Sequence, residues 1–391
     1  MKRLSPVAAA LALAAFLLPV SIALSNLALA LLTAALLLRV WSDGRRMLAS
    51  WRAEPALAAL VFYGAAGLAA ALLSAWPLLS ARDALKDWHR LWSLGLFVAA
   101  LAVEPEAPVL PALGLSFALM AAVGIAQTLF GGESGGMMVR AHGFVHPVVY
   151  GEQMALAVLG GLCLLLRPDA RVPRRAAAGF AALTAAALFL SQTRMALFGA
   201  AAGFAALCLG MPRARRWALP GLLLVGGATA AWQVLPTGGR TMTAVLSPYN
   251  PDNPQQARWA LWDAAWRMFR DHPLTGVGPS GYRRDFPAYH PEPLDGQADW
   301  GSAHDLYLHQ LAERGLLGGA ALLTLLAVLL WRAWAAAEDG GAAALWAWAA
   351  IPAFAVMSLT ETSFQSEQFA ALLLLIWAWG TASLRAQREI L

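Results

Sequence analysis

Apolar residues run along this chain in long blocks separated by short polar breaks. Neither the strict alternation of a half-buried strand nor the one-sided stripe of a helix on a soluble core dominates. About twelve blocks approach the roughly 20 apolar residues that a helix needs to cross a bilayer. Their cores are Val7 to Pro19, Ile22 to Val40, Ala56 to Trp76, Leu91 to Val103, Leu110 to Phe130, Val148 to Leu166, Ala176 to Leu190, Met195 to Gly210, Trp217 to Val234, Leu306 to Leu330, Ala342 to Leu359 and Phe369 to Ser383. The pattern predicts an all-α, polytopic membrane protein with about 12 transmembrane helices forming a single domain over 1–391. A long polar interval, 236–303, separates the ninth and tenth blocks and is expected to be an extramembrane loop holding short amphipathic helices. The first block resembles a signal peptide, but a second follows at once, so a retained hairpin is expected.

Composition sharpens this picture. With 59% hydrophobic and 13% charged residues, the chain is too apolar for a soluble domain of 391 residues. The net charge of +5 follows membrane topology rather than a nucleic-acid footprint. With both termini placed in the cytoplasm, about sixteen of the 28 basic residues fall on the inner side, from Lys2, Arg3 and Arg39 through Arg167 and Arg332 to Arg385 and Arg388. About half of the rest lie in the long loop, which is too long to obey the orientation rule. Trp41, Trp76, Trp88, Trp217, Trp232, Trp331 and Trp377 lie near block ends, as an interfacial belt requires. Cys163 and Cys208 sit inside apolar blocks and suggest packing, with no disulfide or thiolate metal site.

Several outward charges remain unexplained. Charge beside a membrane span is costly and calls for a reason. Arg82, Lys86 and Arg90 fall in "SARDALKDWHRLW", Arg140 in "MMVRAHGFVHPVVYGEQ" and Arg194 in the very short break "FLSQTRMALFG". Arg194 either snorkels to the interface or serves a site. A solvated loop would account for the first three. In the long loop, Gln255 to Arg270 reads as a helix with an apolar stripe of Trp259, Trp262, Trp266 and Phe269, and Asp263 is spaced to pair with a solvated Arg267. Arg258 falls at the stripe's edge, either facing an anionic partner or stacked on aromatic rings. The following "GVGPSG" matches a dinucleotide fingerprint only in letters, because no strand precedes it, and it is expected to be a tight turn. In "SAHDLYLHQLAERGLLGG", His309 and Glu313 are spaced to pair on one face of a helix, away from His304, which lies at the outer membrane face. Gly315, Gly318 and Gly319 are expected to permit close helix packing.

These residues resemble the O-antigen ligase and polymerase superfamily. "HDLYLHQLAERGLLG" is similar to its signature of a His, an Asn or Asp, an aromatic and a Leu, followed after a gap by Glu-x-Gly-x-x-Gly. "RWALWDAAWRMFRDHPLTGVGPSGY" resembles its arginine-bearing helix and glycine-rich turn, "SQTRMALFG" its short arginine break, and "AHGFVHPVVYGEQMA" its earlier loop. Asp305 departs from the more usual Asn. The resemblance implies an O-antigen ligase of the bacterial inner membrane, multi-pass, with both termini cytoplasmic and the 236–303 loop and active site periplasmic. Such an enzyme moves polysaccharide from an undecaprenyl-pyrophosphate-linked donor to a lipid A core acceptor.

The resemblance implies Arg194 and Arg258 on the pyrophosphate and His304 as general base, these three being the catalytic set. Arg140, His146, Tyr282, Arg82, Lys86 and Arg90 are the substrate-binding candidates. Guanidinium donors stabilise charge developing on a leaving group, and a neutral imidazole accepts the proton of an attacking hydroxyl. The first outer turn, "PVSIALSN", holds no acid, and the outward acids Asp83, Glu133, Asp252, Glu361 and Glu367 form no Asp-x-Asp pair. No cofactor is implied, and a metal-independent reaction is expected. An O-antigen polymerase or protein O-oligosaccharyltransferase would use the same donor. A lipid-linked glycan transporter would place its charges nearer mid-membrane, in repeated halves.

Overall fold

The structure is a computed structural model that describes residues 4–131, 133–134, 137–169, 171–234, 257–294, 296–382 and 384. Lys2, Arg3, Asp252, Arg385, Arg388 and the stretch 236–256 of the long loop lie outside the described residues, as do the side chains of Glu133 and Trp232. The described chain is mostly helical, with a short hairpin pairing 133–134 with 137–138 and an isolated bridge between Leu294 and Gln297.

Each apolar block contains a helix. In chain order the helices are α1 (Pro6–Leu17), α2 (Ile22–Leu37), α3 (Val40–Arg52), α4 (Pro55–Leu72), α5 (Pro77–Ala84), α6 (Trp88–Val103), α7 (Val109–Phe130), α8 (Pro147–Leu166), α9 (Arg174–Leu190) and α10 (Arg194–Gly210). There follow the single turn α11 (Pro212–Arg215), α12 (Ala218–Val234), α13 (Ala257–Asp271), α14 (Gly281–Tyr289), α15 (Leu306–Asp339), α16 (Ala342–Met357) and α17 (Glu367–Gly380). Proline at the first helical position, where no N–H is needed, opens α1, α4, α5 and α8. Among the described residues, α4, α7, α8 and residues 306–338 of α15 are long and apolar enough to cross a membrane alone. α2 and α3 would add a fifth span only as one element bent by 112°. The other apolar helices are shorter, so helix length alone does not carry a count of twelve crossings.

One apolar core runs through the bundle, and α10 lies against α16 through Gly199 and Gly203. A Cβ at these positions would come within 2.4 Å of Met357 and 2.5 Å of Leu159. Small residues substitute for hydrophobic drive where lipid surrounds the helices. Cys163 and Cys208 are buried free thiols. Two positions depart from the sequence reading. Trp377 is fully buried, its indole N–H donating to the Leu329 carbonyl, so it belongs to the core rather than an interfacial belt. Arg332, counted with the inner-loop cations, is buried in α15 and lies 3.5 Å from Glu54 at the start of α4.

α15 is broken one third of the way along. Gly315 adopts φ 59° and ψ −157°, a region that only glycine occupies readily. The glycine-rich turn completes the break, as the peptide groups freed there must find partners. Val277 and Gly278 N–H groups donate to the Ala312 and Glu313 carbonyls at 2.9 and 2.8 Å. Leu316 and Leu317 N–H groups donate to the Pro273 and Leu274 carbonyls at 2.8 and 3.2 Å. "GVGPSG" is thus the expected turn, with Gly276, Gly278 and Ser280 at positive φ, and it serves as the clamp of a broken helix. Gly315 is therefore a break in the backbone as well as a point of close packing. A Cβ there would sit 2.3 Å from the Leu274 carbonyl carbon. Gly315→Ala is expected to cost about 1–3 kcal/mol from backbone conformation alone, with the clash adding to it. The unfolding midpoint in detergent checks this, and an unchanged midpoint would contradict the reading.

α13 corrects a further expectation. Its buried face is Ala257, Ala260, Leu261, Ala264, Ala265 and Met268, forming a small second core with Tyr282 and Phe286 of α14. The tryptophan stripe faces largely outward, with Trp259 and Trp266 exposed. Small residues win the contact because they allow α13 to lie close to α15. Asp263 and Arg267 pair as expected on the exposed side.

Candidate functional site

The start of α15 is tied to the end of α16. The Leu306 N–H donates to the Ser358 carbonyl at 2.9 Å, and the Tyr307 hydroxyl to the Ala355 carbonyl at 2.9 Å. This brings His304, just before α15, to the polar turn that follows α16. Nδ1 of His304 donates to Oε2 of Glu361 at 3.4 Å, while Arg258 Nη2 of α13 donates to Oε1 of the same carboxylate at 2.6 Å. One buried glutamate therefore joins the histidine and the arginine. A carboxylate oxygen only accepts, so Nδ1 carries the hydrogen and Nε2 of a neutral ring keeps its lone pair. The Trp300 ring stands edge-on to the imidazole, with centroids 5.9 Å apart.

His304 is not in the helix. It sits at φ 48°, left-handed for a residue with a side chain, and a strained conformation at a polar cluster points to function. The next residue, Asp305, is the N-cap, its carboxylate accepting from the Leu308 N–H at 2.8 Å. That gives the departure from Asn a plain role, since either side chain caps a helix. Burial raises the Asp305 carboxyl above its ordinary value.

A second group approaches from α8, α9 and α10. The three-residue break 191–193 lies against Gly151, where a Cβ would be 2.6 Å from Thr193. Arg140 braces the break, Nε donating to the Ser191 carbonyl at 2.8 Å and Nη2 to Thr193 Oγ1 at 3.0 Å. Arg194 opens α10 immediately after it and is half-buried. His146 caps α8, its Nδ1 accepting from the Val148 N–H at 3.3 Å, which requires an unprotonated Nδ1. Burial pulls the His146 imidazole below its ordinary value, Arg140 and His304 push the same way, and Glu361 opposes them. His146 thus lies within electrostatic reach of Glu361 and His304.

The remaining candidates fall elsewhere. Arg82 is exposed at the end of α5, and the exposed Lys86 pairs with Asp83 at 2.6 Å. Arg90 is not in a solvated loop. It is buried in the first turn of α6, bonded to Asp87 at 2.6 Å and through Nε and Nη2 to the Phe364 carbonyl at 2.9 and 2.5 Å. Phe364 follows Glu361 by three residues, so Arg90 holds the turn that presents the carboxylate. Asp87 also takes Arg314 Nη2 at 2.6 Å, with that guanidinium 4.9 Å from the Tyr63 ring centre. Tyr282 is fully buried, its hydroxyl donating to the Leu261 carbonyl at 2.8 Å, and burial pushes that hydroxyl well up. It packs the α13 to α15 contact instead of lining an open surface. His309 and Glu313 pair inside the protein at 3.5 Å, as expected.

Apolar helices of membrane-crossing length define a membrane protein, and Arg258 and His304 share one carboxylate in it. Residues 179–323, a little over a third of the chain, match the family model described as O-antigen ligase, and this match supports a member of the O-antigen ligase superfamily. That segment carries Arg194, Arg258, the glycine clamp, His304 and the Gly315 break, but not Arg140, His146 or Glu361. No match to a curated protein was found.

Proposed function

We propose that the chain is an O-antigen ligase that transfers a glycan from undecaprenyl pyrophosphate to a sugar of the lipid A core at the periplasmic face. The carriage of both His304 and Arg258 by Glu361 is the observation that supports this reading most. The acceptor oxygen attacks the anomeric carbon, and the carbon to phosphate-oxygen bond breaks. Pyrophosphate leaves with the electron pair, and the hydroxyl proton passes to Nε2 of His304. Glu361 is a positioning residue that fixes the tautomer. Arg194 and Arg140, at the break before α10, and Arg258 meet the growing charge of the leaving group. In this reading twelve helices cross the inner membrane and both termini are cytoplasmic.

Purified protein in lipid nanodiscs, given lipid-linked glycan and lipid A core, is expected to form glycan-capped core and release the carrier pyrophosphate. Longer glycan retained on the carrier would identify a polymerase, and turnover on neither acceptor would overturn the reading. Transfer is also expected to proceed at an unchanged rate in the presence of a chelator. Abolition by chelator with recovery on adding magnesium would remove the arginines from their proposed role.

A further inference from the structure

At the other end of the bundle, α3 turns away from α2 by 112° and roofs a groove between α2, α4 and α6. The groove has a volume of 570 Å³, within the range of about 300–1,000 Å³ typical of ligand pockets. Its lining includes Leu37, Met47, Trp51, Ala58 and Gly95, with Arg52 as its charged member. The Trp51 indole N–H donates to the Gly95 carbonyl at 2.8 Å, pinning the roof to α6. α3 also carries exposed Arg45 and Arg46, and among the described residues no acid lies within ion-pair distance of Arg45, Arg46 or Arg52. Arg39, at its start, pairs with Asp43. The Glu54 to Arg332 contact places this end of α4 beside the far part of α15, some 26 residues beyond the end that holds His304.

We infer that this groove binds an anionic phospholipid, its acyl chain on the apolar lining and its phosphate at Arg52. An apolar slot between helices α2, α4 and α6 suits an acyl chain, and the basic roof suits a negative headgroup over a zwitterionic one. Gly95 leaves room to block the groove, because a Cβ there meets only Trp51 Nε1, at 3.9 Å.

Native mass spectrometry of the delipidated full chain with palmitoyl-oleoyl phosphatidylglycerol or phosphatidylcholine tests this. Wild type is expected to retain phosphatidylglycerol about fivefold better, the contribution of roughly one interfacial arginine. Arg52→Gln should bring the two lipids to parity. Gly95→Leu and, independently, Ala58→Leu should lower retention of both, with monodisperse elution showing intact folding. Arg171→Gln, exposed on another loop, should change nothing. Equal retention of both lipids by wild type, undiminished retention in both groove-filling variants, or displacement of phosphatidylglycerol by excess inorganic phosphate would overturn the inference.

Discussion

His304→Ala is expected to slow transfer by about 100-fold or more, the usual contribution of a general base, while the folded protein is recovered at normal yield. The imidazole is partly exposed and its hydrogen bond to Glu361 is long at 3.4 Å, so little packing is lost with it. The backbone separates chemistry from stability at this position. Because residue 304 sits at positive φ, His304→Gly relieves a strain of about 1–3 kcal/mol. The glycine variant should therefore unfold at a higher temperature than the alanine variant while being equally slow. Steady-state transfer and thermal unfolding on the same preparations check both parts. Near-normal transfer by either variant would remove His304 from the reaction.

Asp87→Ala is expected to give the largest loss of stability. Asp87 faces two buried guanidiniums, Arg90 of α6 and Arg314 of α15, each at 2.6 Å, and all three side chains are about 95% buried. Deleting one partner of a buried pair costs about 3–5 kcal/mol, because the remaining charge stays out of water. Here two charges would be stranded. The turn carrying Glu361 would lose its support as well, since Arg90 also holds the Phe364 carbonyl. Asp87→Asn keeps a hydrogen-bond acceptor and should fall between wild type and alanine. Chemical unfolding in detergent measures the order, and an alanine variant as stable as wild type would contradict it.

The all-helical character was legible because membrane helices announce themselves by long apolar blocks, whereas the number of crossings was not, since most of the helices are shorter than a span. His304, the His309 to Glu313 pair and the arginine-bearing breaks were readable as ionisable groups where lipid makes charge expensive. Glu361 was not. It lies 57 residues from His304 and 103 from Arg258, and the polar turn "SLTETSF" looks like any connection between two spans. The one available signal was an outward acid that belongs to no Asp-x-Asp pair. Arg90 and Arg314 were hidden for a related reason: a charge buried among helices and one in a loop read alike when the partner is distant in sequence. The α13 stripe misled because aromatic size suggested burial, whereas the face against α15 needed small residues. Gly315 was visible as glycine, but its backbone break depends on a turn some 40 residues earlier.

In this account Glu361 acts through His304, holding its tautomer and orientation, and a double-mutant cycle in the nanodisc transfer assay tests this most directly. Glu361→Gln alone should lower kcat with little change in KM, Glu361→Asp should recover part of the loss, and the His304→Ala, Glu361→Gln double variant should be no slower than His304→Ala alone. A double variant whose loss is the product of the two single losses, with KM raised by Glu361→Gln, would show that the carboxylate acts independently of the imidazole and would contradict the account.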